Sequence, residues 1–97
     1  MRRDEVLKVL AEHREELEEL GVKRLAIFGS VARDEARPES DVDLLVEFDD
    51  RPIGLFEFVD LQHHLEELLG CKVDLGTFRS LKQRPRERVL EEAVDVP

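Results

Sequence analysis

Three short runs in this 97-residue chain carry side chains that could do chemistry together: Gly29-Ser30, Asp41-Val42-Asp43 and Lys72-Val73-Asp74-Leu75. Ten residues separate the Gly-Ser pair from the paired acids. On a strand, carboxylates at i and i+2 point the same way, roughly 6–7 Å apart. Two such groups can lean toward one divalent cation, and their hard oxygens suit magnesium working on nucleotide phosphates. A glycine just upstream lets the backbone approach a phosphate closely, and a following helix start would add amide donors. These residues point to magnesium-assisted chemistry on a nucleotide and leave the substrate open.

The acids need a strand beneath them and a second strand running into the Gly-Ser turn. Val42–Phe48 alternates as a strand should, with Val42, Leu44, Val46 and Phe48 on one side and Asp41, Asp43, Leu45 and Glu47 on the other. Leu25–Phe28 is a short apolar run ending at Gly29, and Cys71–Leu75 reads as a third strand. Residues 4–20 repeat apolar side chains at helical spacing and stop at Gly21, a C-terminal cap. Val31–Ala36 predicts a short helix closed by Pro38, and Asp49–Pro52 is turn chemistry. Gly54–Leu69 carries a stripe of Leu55, Phe58, Val59, Leu65, Leu68 and Leu69, and Gly70 stops it. Pro85–Ala93 predicts a closing helix, followed by an extended tail at Val94–Val96. The order α-β-α-β-α-β-α implies an α/β (α+β) fold, one small mixed sheet with helices packed on it. The length predicts a single domain over residues 1–97.

The pattern G-S-x10-D-x-D resembles the core motif of the nucleotidyltransferase superfamily that includes DNA polymerase beta. More closely, the chain resembles the minimal nucleotidyltransferases found beside HEPN-domain toxins. The likeness runs through IFGSVAR, EARPESDVDLLVEF, KVDL and LKQRPRERVLEEAVDV. It implies the nucleotidyltransferase fold and transfer of AMP from ATP to an acceptor hydroxyl. By the same resemblance Asp41 and Asp43 bind two Mg²⁺ ions, and Asp74 is the third carboxylate, able to take the acceptor's proton. Gly29 and Ser30 correspond to the turn that holds the triphosphate. Arg33 either reaches a phosphate or serves as a surface ion-pair residue. Asp34 stands where relatives often carry glycine, which stiffens the loop without touching the metal site.

Composition narrows the partners. A net charge of −9, with basic residues interleaved among acids, argues against direct binding to nucleic acid and suits a basic protein partner. One cysteine, Cys71, excludes an internal disulfide and a cysteine-based zinc site. No apolar run approaches membrane-spanning length, so a cytoplasmic protein is expected. The five phenylalanines stand at core-like spacing, and His13, His63 and His64 read as ordinary surface or half-buried residues. The chain has no tyrosine, so a tyrosine acceptor would belong to another chain.

The family likeness makes a HEPN-domain toxin the implied acceptor, this chain its antitoxin, and a hetero-oligomer the working form. Two alternatives stay open. One is a binding antitoxin that neutralises by covering the toxin; the other is transfer to a small molecule or an RNA end.

Overall fold

The computed structural model describes residues 2–32, 41–50, 53–78 and 93–97. In chain order these form α1 (Arg3–Glu12), α2 (Arg14–Glu19), β1 (Val22–Phe28), α3 (Gly29–Ala32), β2 (Val42–Phe48), α4 (Leu55–Leu69), β3 (Val73–Thr77) and β4 (Val94–Asp95). The strands make one mixed sheet in the order β3-β2-β1-β4. β1 pairs antiparallel with β2 and with β4, whereas β2 and β3 run parallel with α4 between them in sequence. The expected mixed sheet with packed helices is thus present.

β2 is the strand that alternation predicted, residue for residue. Val42, Leu44 and Val46 are buried in the core, together with Leu25 and Ile27 of β1 and Val73 and Leu75 of β3. Val6 and Leu10 of α1, Leu17 of α2, Val31 of α3 and Leu61, Leu65 and Leu69 of α4 complete it. Burying such a side chain is worth about 1.5–3 kcal/mol each, which is what holds helices this short in place. Ala26 and Leu45, register partners of opposite alternation, are also buried, outside that cluster.

Several elements depart from the periodicity. The single helix expected over residues 4–20 is two, because His13 leaves helical geometry and its N–H donates to Leu10 O at 3.2 Å in a tightened turn. Glu16 then sits between two histidines, hydrogen-bonded with His13 Nδ1 at 2.9 Å and 3.0 Å from His64 Nε2 of α4. β1 begins at Val22, three residues early, because an irregularity between Val22 and Arg24 puts Lys23 and Arg24 outward in succession. β3 begins at Val73 and not at Cys71, and it reaches Thr77 because Gly76 and Thr77 pair with Leu45 and Val46.

Leu55, counted in the apolar stripe, is 75% exposed, and Phe56 is 84% exposed, so neither is a core residue. Leu61, at i+4 spacing with Leu65 and Leu69, takes the core position instead. The expected helix over Pro85–Ala93 lies outside the described residues as far as position 92, and Ala93 itself is not helical. The predicted tail is partly a strand: β4 pairs Val94 with Ile27 and Asp95 with Ala26. Arg24 fastens this joint by donating from Nε and Nη2 to Asp95 at 3.1 and 3.2 Å. Among the described residues no helix is long and apolar enough to cross a membrane.

Candidate functional site

Antiparallel pairing brings the Gly-Ser turn to the acids. Phe28, the last residue of β1, lies opposite Asp43, so Gly29 leaves the strand beside that carboxylate. Gly29 has φ +72°, a conformation that glycine adopts at no steric cost. A Cβ there would overlap Asp43 Oδ2 and come within 3.2 Å of its Cγ. The hollow left by the missing side chain is the space that the Asp43 carboxylate occupies.

Parallel pairing brings in the third acid. Asp43 and Asp74 are register partners on β2 and β3, strands about 4.8 Å apart. Asp41 lies two residues upstream of Asp43 on the same face, where the ladder begins with Val42 N–H donating to Lys72 O at 3.0 Å. Asp43 is half-buried, whereas Asp41 and Asp74 are exposed. The structure thus gathers Gly29, Asp43 and Asp74, with Asp41 at the same end of the sheet. Ser30 is the second residue of α3. Arg33 lies outside the described residues.

Among the described residues no three His, Cys, Asp or Glu side chains converge to hold a metal ion. The acids are neighbours along one end of a sheet and do not form a closed cage. Their donor chemistry still fits a hard dication, which takes few protein oxygens and keeps several waters. The Gly29 hollow sets the Asp43 carboxylate beside the turn.

The family comparison decides what kind of site this is. The sequence profile of the nucleotidyltransferase domain family matches residues 10–96. The chain belongs to that family. It is 44% identical over 94 residues to protein adenylyltransferase MntA of Thermococcus cleftensis, an alignment that covers 96% of this chain and 94% of the relative. A solved structure described provisionally as a minimal nucleotidyltransferase superposes with a TM-score of 0.79 at 43% identity, over 97% of this chain and 95% of that one. The crystal structure of a toxin–antitoxin with AMP-PNP shares the fold at a TM-score of 0.70 and 20% identity, over 100% of this chain and 73% of its own. The chain is a nucleotidyltransferase, and the resemblance to the minimal members of that superfamily holds.

Two side chains that sequence reasoning missed hold the third strand of this nucleotidyltransferase in place. Among the described residues β3 is an edge strand, and α4 grips its first residue from outside. Glu66 Oε2 accepts the Val73 N–H at 3.1 Å, and Gln62 Nε2 donates to Val73 O at 3.0 Å. Their i, i+4 spacing puts both on one face of α4, above the residue that precedes Asp74. In sequence they look like two more polar positions of a helix, and nothing local shows that they reach a strand edge. Replacing both by alanine is expected to cost about 1 kcal/mol for each lost hydrogen bond. Chemical denaturation measures this, and Glu66→Gln, which keeps an acceptor, should retain most of the stability.

Arg3 ties the leading helix to the turn, its Nη1 donating to Ala32 O at 3.3 Å. Cys71 packs against the core just before β3. Burial pushes its thiol above the usual range, and the Asp41 and Glu66 carboxylates push the same way. A thiol kept neutral is a poor nucleophile, in keeping with a packing role.

Proposed function

We propose that this nucleotidyltransferase moves AMP from ATP to a hydroxyl of a partner protein, with residues 1–97 acting as one domain. The observation that carries this reading is the packing of the Asp43 carboxylate into the Gly29 hollow, in register with Asp74. In this reading the Gly29-Ser30 turn cradles the triphosphate, and Arg33 contacts a phosphate. Asp41, Asp43 and Asp74 would hold two Mg²⁺ ions, whose charge would offset the negative charge that develops during transfer. Asp74 takes the proton of the acceptor hydroxyl as a P–O bond forms to the alpha-phosphate and pyrophosphate leaves.

The choice of AMP and of a protein acceptor is supported by the protein adenylyltransferase from Thermococcus, identical at 44% of positions. A HEPN-domain toxin is the proposed acceptor, modified on tyrosine, with this chain as its antitoxin. The acidic balance of the chain and its lack of tyrosine favour such an arrangement in trans.

Incubating the protein with labelled ATP, Mg²⁺ and the protein of the neighbouring reading frame tests this. The acceptor gains the mass of AMP, and Asp43→Asn lowers the rate by at least about 10²-fold while the complex still forms. If the wild type neutralises the neighbour without ever labelling it, the binding-only alternative replaces this reading.

A further inference from the structure

A groove lies at the far end of the sheet from the acids. About 650 Å³ is enclosed by the C-terminal end of β2, the start of α4 and the end of β3, between Val46, Phe48, Ile53, Leu55, Phe58 and Phe78. Phe48 and Phe58 meet edge-on in its wall, with ring centroids 6.3 Å apart. Phe78 is held by the guanidinium of Arg24, 4.5 Å from the ring centroid. At its mouth Leu55 is 75% exposed, and Phe56 beside it is 84% exposed. Large apolar side chains presented together next to a groove mark an interaction site more often than chance exposure does.

The surroundings of the groove are acidic. Glu47 and Asp49 line it, and residues 47–60 carry five acids, with Asp50, Glu57 and Asp60, against one cation, Arg51. On the neighbouring stretch of β1, Lys23 pairs with Glu47 at 3.8 Å and Arg24 with Asp95 at 3.0 Å, so each cation offsets one acid and the balance of the rim stays negative. A second copy of this chain, itself at −9, would bring like charge to the same place. An apolar cleft with an acidic rim instead fits a helix that carries apolar side chains on one face and lysine or arginine beside them.

We infer that this groove docks a basic amphipathic helix of the acceptor protein, remote from the site of transfer. Five residue steps along β2 separate Asp43 from Phe48, about 16–17 Å of strand. A small-molecule acceptor cannot span that distance, whereas a protein can be gripped at one end of the sheet and modified at the other. The inference rests on the protein-acceptor reading above, but docking needs neither nucleotide nor transfer, so the two can fail separately.

The probe is a fluorescent 18-residue amphipathic peptide of leucine and lysine, titrated by anisotropy into the full chain, with a leucine–glutamate peptide as its counterpart. The lysine peptide binds the wild type and the glutamate peptide does not. Phe56→Ser and Phe56→Asp each weaken binding at least tenfold, and Asp43→Asn leaves it unchanged. The aspartate variant is decisive, because added negative charge would strengthen a purely electrostatic attraction. Binding that is equal or tighter in Phe56→Asp overturns the proposal, as does equal binding of the two peptides. A drop of more than a few degrees in the thermal midpoint of Phe56→Ser also overturns it, since Phe56 would then be packed within the chain itself. Self-association of the wild type that Phe56→Ser abolishes would assign the groove to a second copy instead.

Discussion

Gly29→Ala loses nucleotidyl transfer far out of proportion to its loss of stability. Two effects act at this position. Holding a residue with a side chain at φ +72° costs about 1–2 kcal/mol. The new methyl also overlaps Asp43 Oδ2. The end of an aspartate side chain can rotate away, so the overlap itself is relieved cheaply. That rotation removes the carboxylate from its place beside the turn. Misplacing a reacting group by about 1 Å can cost on the order of 10²-fold in rate, and a loss of that size is expected here. Transfer rates and thermal unfolding of the same preparation check both halves. In an Asp43→Ala background, Gly29→Ala should add little further loss of activity, because the group that it displaces is already gone. A Gly29→Ala protein that transfers at the full rate would detach the turn from the acid.

Asp74→Asn should move stability and activity in opposite directions. Asp43 and Asp74 are register partners, and like charges directly opposite each other destabilise a sheet. Asp74 is exposed, so solvent screens the repulsion, and removing it should gain only about 0.2–0.5 kcal/mol without divalent cations. Transfer should fall by about 10²–10⁴-fold, the usual contribution of a positioned proton acceptor. Adding Mg²⁺ should raise the unfolding midpoint of the wild type and raise that of Asp74→Asn less. A variant that is stabilised by Mg²⁺ as strongly as the wild type would remove Asp74 from the cation site.

The parts legible in the sequence are those where a local rule and the tertiary structure agree. β2 alternates strictly at its polar end, so its limits and the facing of Asp41 and Asp43 could be read directly. Gly70 caps α4 at φ +69° because a left-handed residue was needed where the sequence supplies glycine. The mistaken boundaries have tertiary causes. Lys23 and Arg24 interrupt the pattern of β1 at a register shift, which only the pairing with β2 can define. Gly76 and Thr77 have poor strand character, yet parallel pairing with β2 keeps them extended.

The candidate site was legible as a set of residues but not as an arrangement. Spacing suggests that Asp41 and Asp43 share a face. That Gly29 must be glycine to make room for Asp43 follows only from the antiparallel register of Phe28 with Asp43. The positions of Gln62 and Glu66 against Val73 depend on how α4 crosses the sheet, which no local pattern encodes. Leu55 and Phe56 misled the reading because periodicity reports which residues are apolar, and not whether a core exists to receive them.

The placement of the acids on β2 also bears on how the chain avoids misfolding. Side chains alternate with period two, so sliding β2 by one residue past its neighbours would turn Val42, Leu44 and Val46 outward. The same slip would carry Asp43 and Glu47 into the apolar layer beneath the helices. Burying an unpaired carboxylate costs several kcal/mol, a large part of the stability of a chain this small. Every slip by an odd number of residues therefore carries a penalty that the native alignment escapes. A variant with both acids of Asp41-Val42-Asp43 replaced by valine would lose part of that protection along with its chemistry, leaving Glu47 as the remaining mark of where the strand belongs.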